Sequence, residues 1–286
     1  MNSPFNAAEL NAYTDMKVVP MLSINNPPGL YDRQIAQGAV DSALYRYAKA
    51  AAVWGKPLFW RIDWEMNGNW YPQHSVGQYN TSQDYIAMWR HIVTIFRQAG
   101  ANHVKFVYSP NTLCAHACLD FGMMYPGDAY VDWVALDGYN WGTFRTDSSW
   151  ESFQDIFGKS YARLLQVAPG KPIMIAETGS AEQGGDKAAW ITSAFRVTIP
   201  SRFRMLKVII WFNFKKASEP DWRVNSSERV LQAYKEVVAD PYYRAQLMSN
   251  AATWQPLSGT LAPTSPPTVT QASPTATVIP IVLTPR

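Results

Sequence analysis

The sequence of 286 residues has little charge, and its charge is not clustered. Charged residues make up 16% of the chain, and the net charge is only +3, without a run of Lys or Arg. Because a phosphate backbone is bound by such a run, nucleic acid is not an expected partner. No stretch reaches the roughly 18 apolar residues that span a bilayer, and the N-terminus lacks the basic and apolar regions of a signal peptide. The sequence therefore indicates neither a nucleic-acid-binding nor a membrane-spanning protein.

Cysteine is also scarce, since only Cys114 and Cys118 are present. In a secreted protein, two cysteines so close together in a loop favour a local disulfide. His116 lies between them, but a zinc site takes four ligands and the chain has no further cysteine. A Gly-rich phosphate loop and a nucleophilic serine elbow are missing as well. We therefore expect no metal ion and no cofactor.

Aromatic residues, in contrast, are abundant, with 12 Trp, 15 Tyr and 12 Phe. Most such rings pack in a core, but a flat ring also packs on the C–H bonds of a sugar. Composition alone leaves both roles open. The hydrophobic fraction of 47% is enough to bury a substantial core in a chain of this length.

Composition divides the chain into two parts. Residues 252–286 are rich in Pro, Thr and Ser and nearly free of charge. Such a segment cannot bury enough apolar surface to offset the entropy of ordering, so we predict a flexible linker or tail. Residues 1–251 then form the globular domain. A linker of this kind commonly joins a further module or the cell surface, and a tail without a partner is the alternative.

Short apolar runs alternate with amphipathic stretches in residues 1–251, which is the pattern of repeated β-α units and a parallel sheet. The predicted strands are residues 17–24, 58–65, 104–110, 131–139, 172–178 and 206–213. Four helices are predicted from their capping residues: 39–54 ended by Gly55, one between Ser82 and Gly100, one from Asp186 to 195, and 228–238 capped by Ser226. The predicted fold class is α/β.

Polar and aromatic residues gather at the carboxyl ends of these strands. In a β/α barrel all such ends open on one face, where active sites are built. Glu65 and Glu177 are the most informative, because each follows an apolar strand where a carboxylate is costly to bury unless it is hydrogen-bonded or used. A single Glu there is more often an ion-pair partner. Two of them across a cleft favour glycoside hydrolysis, in which one protonates the leaving oxygen and the other attacks the anomeric carbon or activates water.

Several segments resemble glycoside hydrolase family 26, which includes endo-β-1,4-mannanases and mixed-linkage β-glucanases. In the order of the family, they are RIDWEMNGNWYP at 61–72, Asp128, YVDWVALDGYNWG at 130–142, IAETGS at 175–180, WFN at 211–213 and DWR at 221–223. The similarity covers roughly residues 19–238. It implies a (β/α)8 TIM barrel in which Glu65, on the fourth strand, is the general acid/base. Glu177, on the seventh, is the nucleophile of a retaining double displacement, with carboxyl carbons about 5 to 5.5 Å apart.

The resemblance also implies a set of substrate-binding residues. They are Arg61, Asn67, Trp70, Tyr71, Tyr139, Trp141 and Trp211. We expect Trp211 to form the floor under the sugar at the cleavage point and Trp141 to form the wall of a subsite. We also expect Tyr139 to donate a hydrogen bond to Glu177.

Two further expectations concern the charges of the catalytic pair. Arg61 interacts either with Glu177 or with Asp63. Glu65 needs a raised pKa, which stacking under Trp64, Trp70 or Tyr71 would supply by desolvation.

The chain departs from the family at two positions. The family commonly has His immediately before the acid/base, where this chain has Trp64. The predicted strand ending at Ile24 is followed by NNPP, without the Trp-His pair of many mannanases. We expect a β-1,4-mannan-type polysaccharide as substrate. A mixed-linkage β-1,3-1,4-glucan is the alternative substrate, and a non-catalytic glycan-binding protein is the alternative function.

If Glu65 ends the fourth strand, residues 17–24 are the third, and the first two strands are missing. We therefore expect an N-terminally truncated barrel of six strands whose true start lies upstream, with a naturally open six-stranded sheet as the alternative. The resemblance implies a monomer outside the cell or at its surface, its signal peptide lost with the N-terminus. A further module beyond the linker is also expected.

Overall fold

The computed structural model describes residues 4–16, 18–114 and 118–243. Six strands in these residues form one parallel sheet in which each strand lies beside the next in sequence. The strands are β1 (Met21–Ile24), β2 (Leu58–Ile62), β3 (Val104–Tyr108), β4 (Trp133–Asn140), β5 (Ile173–Ser180) and β6 (Leu206–Trp211). This sequential parallel order is that of a β/α barrel wall and confirms the predicted α/β class. The predicted tail, residues 252–286, lies outside the described residues.

Helices pack on the outer face of the sheet, and in the described residues α-helices connect all pairs of consecutive strands except β3 and β4, between which lies the short 3-10 helix Phe121–Met124. The α-helices are α1 (Ala7–Asp15), α2 (Asp32–Ala36), α3 (Asp41–Trp54), α4 (Ser82–Gln98), α5 (Phe153–Val167), α6 (Lys187–Ser193), α7 (Ile199–Arg202) and α8 (Glu228–Val238). Gly55 ends α3 in the left-handed conformation, and the Asp186 side chain caps α6, as predicted. Two predicted caps are off by one residue, because Thr81 caps α4 and Ser227 caps α8. The sequence analysis did not predict α1, α2, α5 or α7.

The sheet separates two apolar layers. Along β2, Phe59 belongs to the inner layer, enclosed by the curved sheet, whereas Leu58, Trp60 and Ile62 belong to the layer between sheet and helices. Because side chains alternate along a strand, Arg61 shares the inner face with Phe59 and lies nearer the carboxyl end. The other described inner residues are Val18, Val19, Met21, Val107, Ala135, Met174, Ala176, Val208 and Ile210.

A bulge in β5 changes this alternation next to the cleft. Leu136 of β4 pairs with Ile175, but Asp137 pairs with Glu177, so Ala176 is an extra residue. The pairing with β6 shows a shift in the same segment. Without the bulge, Glu177 would follow inward-facing Ala176 and point at the helices. The bulge therefore directs Glu177 to the inner face beside Asp137.

Strand β2 is shorter than the predicted strand, residues 58–65, because a turn begins at residue 63. The strand ends at Ile62, and both Asp63 and Glu65 have positive φ, 38° and 56°. The amide of Asp63 donates to the Ile24 carbonyl (3.0 Å), and that of Glu65 donates to the Ser109 carbonyl (2.8 Å). These bonds to both neighbouring strand ends hold a conformation that is uncommon for residues other than glycine. Glu65 thus lies on a tightly fixed turn.

Candidate active site

Arg61 is the central charge of the cleft. Its side chain is 1% exposed, and its Nη1 donates to Glu177 Oε1 (2.8 Å) while Nη2 donates to Asp137 Oδ2 (2.5 Å). Of the two partners considered for Arg61, Glu177 is therefore the one it contacts. Asp63 lies beyond the end of β2 and accepts instead from the backbone amide of Asn26 (2.9 Å).

Glu177 has a hydrogen-bond donor on each oxygen. Tyr139 donates its hydroxyl to Oε2 (2.5 Å), as predicted, and Arg61 occupies Oε1. Burial and the charge of Glu177 raise the pKa of Tyr139 well above its ordinary value, so the hydroxyl keeps its proton. The side chain of Glu177 is 20% exposed. Two donors on a partly open carboxylate stabilise an anion that can still meet a ligand.

Glu65 lies in a different environment. It is 7% exposed, Asn111 Nδ2 donates to its Oε1 (2.9 Å), and Trp70 Nε1 donates to its Oε2 (2.7 Å). Burial, and next the charge of Glu177, raise the pKa of Glu65 above its ordinary value, although both hydrogen bonds and the charge of Arg61 oppose the shift. Trp70 contacts Glu65 through its indole N–H, not by stacking, and the ring is 41% exposed. Burial is the predicted cause of the raised pKa, but Trp70 does not supply it by stacking, since its hydrogen bond lowers the pKa of Glu65.

Asn67 does not line the cleft. It is fully buried, accepts from the backbone amide of Asn111 (2.8 Å) and donates to the backbone carbonyl of Asn111 (3.0 Å). The expected contact of Asn67 with substrate is therefore wrong, because the side chain is buried and its amide is bound to the backbone of Asn111. Asn111 was not among the predicted site residues. Its place at the end of a strand was the signal available in the sequence.

One cluster of aromatic rings belongs to the segment that carries Glu65. Tyr71 is half-buried and packs against Trp64 and His74, with centroid distances of 5.7 and 4.6 Å. Trp64 is 9% exposed and faces the Arg61 guanidinium at 5.0 Å. Trp64, the residue immediately before Glu65, thus packs on the central arginine.

A second cluster of aromatic rings lies around Tyr139, the hydrogen-bond partner of Glu177. Trp141 is half-buried and packs edge-on against Trp222, with 5.0 Å between centroids. The guanidinium of Arg145 lies 3.3 Å from the centroid of Trp141. Trp222, which sequence analysis did not single out as a site residue, is fully buried and packs 4.7 Å from Tyr139.

Trp211 is not the floor of the cleft. It is 2% exposed, belongs to the layer between sheet and helices, and donates its indole N–H to the Trp222 carbonyl. Alternation along β6 places Ile210 on the inner face, so the neighbouring Trp211 points outward. Its role is packing against Trp190 and Tyr234, with centroid distances of 6.1 and 6.0 Å.

The cysteines are joined as expected, since Cys114 and Cys118 form a disulfide. His116, between them, lies outside the described residues. Within 4–16, 18–114 and 118–243, no group of three or more His, Cys, Asp or Glu side chains is arranged to hold a metal ion. In the same ranges, no helix is long and apolar enough to cross a membrane.

A sequence model of the family described as "Glycosyl hydrolase family 26" matches residues 32–194. Endoglucanase H of Acetivibrio thermocellus is 41% identical over 208 residues, which are 71% of this chain and 22% of that protein. Mannan endo-1,4-beta-mannosidase A and B of Caldalkalibacillus mannanilyticus is 32% identical over 133 residues, covering 45% and 23% of the two chains. The chain spans less than a third of the length of these curated relatives.

Among solved structures, a β-mannanase of Bacteroides ovatus has a TM-score of 0.60 and 19% identity, covering 82% of this chain and 73% of that one. The catalytic domain of an endo-β-1,4-mannanase of Bacillus sp. JAMB-750 has a TM-score of 0.61 and 19% identity, covering 87% and 72%. At this identity the likeness concerns the fold. The six parallel strands described above are therefore those of a (β/α)8 barrel, as predicted.

Proposed function

Because the chain belongs to glycoside hydrolase family 26, we propose that it hydrolyses β-glycosidic bonds inside a polysaccharide by retaining double displacement. The observation that carries this proposal is that two neighbouring carboxyl groups lie in different environments. Glu177 accepts hydrogen bonds from the guanidinium of Arg61 and the hydroxyl of Tyr139, whereas burial and the charge of Glu177 raise the pKa of Glu65. Acid and nucleophile are separated in this way in retaining glycosidases.

The two groups then act in sequence. In the first step Glu65 gives its proton to the leaving glycosidic oxygen while Glu177 attacks the anomeric carbon, which forms a glycosyl ester on Glu177. In the second step the ionised Glu65 takes a proton from water, and that water displaces Glu177 from the sugar. Tyr139 and Arg61 orient the nucleophile throughout. The half-buried rings of Trp141 and Tyr71 and the exposed face of Trp70 are the proposed sugar-binding surfaces.

For the substrate, a β-linked glucan is the better supported candidate. Endoglucanase H is the relative with the longer and more similar match, and the segment after β1 has NNPP where many mannanases have Trp-His. A β-1,4-mannan is the second candidate, supported by the similarity to a mannan endo-1,4-beta-mannosidase. A polymer of either kind does not enter a cell, so we place the protein outside the cell or on its surface. There it acts as a monomer, with any further module beyond residues 252–286.

Release of reducing sugar from barley β-glucan, glucomannan and galactomannan tests this proposal. Replacement of Glu65 or Glu177 by Ala should lower the rate at least about a thousandfold, because each removes one participant in the chemistry. The exposed Glu236→Ala is the control and should be as active as the unchanged chain. Equal activity of Glu177→Ala and the unchanged chain would contradict the role of Glu177, and binding of these polysaccharides without any hydrolysis by the unchanged chain would leave a glycan-binding protein.

The stereochemistry of the first product is a second criterion. Nuclear magnetic resonance of the reaction mixture should show the β-anomer first, because two inversions at carbon give net retention. Initial release of the α-anomer would mean that Glu177 activates water and is not the nucleophile.

A further inference from the structure

Glu65 is oriented by a contact between two loops. The turn after β2 carries Glu65 and Asn67, and the loop after β3 carries Asn111. The two asparagines are bound to each other in both directions, with the Asn67 side chain accepting from the backbone amide of Asn111 and donating to its carbonyl. An amide side chain used in this way replaces a neighbouring peptide group and fixes the Asn111 backbone.

From this fixed backbone, the side chain of Asn111 reaches the carboxyl group. Its Nδ2 donates to Glu65 Oε1 (2.9 Å), and its Oδ1 lies 3.4 Å from the Thr112 hydroxyl. The backbone of Glu65 is bound to the same loop, since its amide donates to the Ser109 carbonyl (2.8 Å). Both the main chain and the side chain of the acid/base are therefore hydrogen-bonded to the loop after β3.

We propose that Asn67 and Asn111 form one positioning unit, in which the Asn67 amide fixes the Asn111 backbone and the Asn111 amide orients the Glu65 carboxyl group. The unit rests on the proposed function, because Glu65 is its target. Asn67 touches neither Glu65's carboxyl group nor the open cleft, and it acts through Asn111. The unit also affects the protonation of Glu65, because a hydrogen bond donated to Oε1 favours the ionised form of the carboxyl group.

The ionised form of Glu65 is the base that takes a proton from water in the second step of the proposed reaction. Glu65 has to become ionised in the first step and protonated again in the second, while burial and the charge of Glu177 both disfavour its ionised form. The amide of Asn111 opposes them, and Trp70 Nε1 does so at the other oxygen. Loss of the Asn111 amide should therefore shift the titration of Glu65 upward and leave the carboxyl group free to rotate.

The test compares Asn111→Ala, Asn67→Ala and Asn80→Ala. Asn80 is the matched control because it is also buried, accepts from one backbone amide and donates to one backbone carbonyl, yet it has no contact with Glu65. Carbon-13 resonance of the labelled Glu65 carboxyl group gives its titration in the full chain without any substrate. We expect an upward shift of about half a pH unit or more in Asn111→Ala and in Asn67→Ala, and none in Asn80→Ala.

Kinetics with two leaving groups give the second readout. An aryl β-glycoside with a dinitrophenolate leaving group needs no proton from Glu65 in the first step, whereas the polysaccharide does. Asn111→Ala should therefore lose about ten- to a hundredfold in kcat/KM on polysaccharide and much less on the aryl glycoside. A merely structural loss would lower both rates alike.

The outcomes separate the two proposals. If the unchanged chain hydrolyses neither substrate, the proposed function fails, and the titration of Glu65 still decides whether the unit exists. If the chain is active but Asn111→Ala and Asn67→Ala titrate like Asn80→Ala, the positioning unit is wrong. Equal losses on both leaving groups would overturn it as well.

Discussion

Asp63 is a buried acid beside the turn from which Glu65 projects. Burial raises the pKa of Asp63 to about 8 and lowers that of His74 to about 4. His74 is then neutral, and since its Nε2 contacts the Trp64 carbonyl (3.1 Å), the proton belongs on Nε2. Its Nδ1 is left as an acceptor 3.5 Å from Asp63 Oδ1. The protonated form of Asp63 is therefore the one that is compatible with His74, because ionised Asp63 would place a second acceptor beside Nδ1.

This arrangement predicts that Asp63→Asn changes how stability depends on pH. The folded-state pKa of Asp63, about 8, lies above the ordinary value of 3.8, so the folded chain binds the proton more tightly. Its stabilising contribution is complete below about pH 4 and falls as the pH rises toward 8. The variant cannot ionise, so its free energy of unfolding should gain on that of the unchanged chain by up to about 1.4 kcal/mol per pH unit in this window.

Urea unfolding at pH 5 and pH 8 measures this difference. The exposed Asp147→Asn is the control, and its difference from the unchanged chain should be the same at both values. A difference for Asp63→Asn that does not grow with pH would show that Asp63 is ionised in the folded chain.

Among the secondary-structure elements, the strands could be predicted from the sequence. The face of the sheet to which the last side chains of each strand point could not. Apolar runs mark all six strands, and Gly55 and Asp186 mark helix ends by local chemistry. The bulge that turns Glu177 into the cleft is fixed by pairing with two neighbouring strands, which no local pattern reveals. Trp211 was misplaced because a strand-end aromatic can face either layer. Asn111 was missed because its role depends on a second loop 44 residues away.

The loop after β6 is held by a buried lysine at the start of α6. Lys187 is 1% exposed, and its Nζ donates to the carbonyls of Asp221 (2.8 Å) and Arg223 (2.9 Å) and to the Ser226 hydroxyl (3.2 Å). Between these acceptors lies Trp222, which packs against Tyr139. The lysine therefore connects a helix on the outside of the barrel with the ring that supports Tyr139.

Lys187→Met should loosen this loop. Methionine has a similar length but no donors, so buried acceptors lose their partner and the free energy of unfolding should fall by about 1 to 3 kcal/mol. We also expect a higher KM, because Trp222 and Tyr139 lose their support. Thermal unfolding and steady-state kinetics check both effects. The exposed Lys159→Met is the control, and an equal loss in both variants would contradict the role of Lys187.

At the scale of the whole molecule, the described residues form a sheet with two edges. Strand β1 pairs only with β2, and β6 pairs only with β5, within the part of the chain that the structure describes. The inner apolar layer is nevertheless buried, from Met21 on one edge strand to Ile210 on the other. Exposed edges of parallel strands are places where other strands can pair.

The predicted division of the chain at residue 251 can be tested at this scale. A chain that stops after residue 251 should unfold at the same temperature as the full chain and hydrolyse soluble polysaccharide equally fast, because the Pro, Thr and Ser content of residues 252–286 favours a flexible tail. A chain that stops after Ser227 is the control. It lacks α8 with its buried Val230 and Val237, so it should unfold at a lower temperature. A lower unfolding temperature for the longer of the two shortened chains would mean that the tail packs on the barrel.

The position of Arg61 beside Glu177 has an electrostatic consequence for the proposed reaction. In the first step Glu177 loses its negative charge to an ester while Glu65 acquires one, so the summed charge of the cleft does not change. The step moves a charge across the cleft, and Arg61, paired with Asp137, is close enough to act on both end points. Because a fixed cation accompanies the charge in either position, little solvent has to rearrange as the bond breaks.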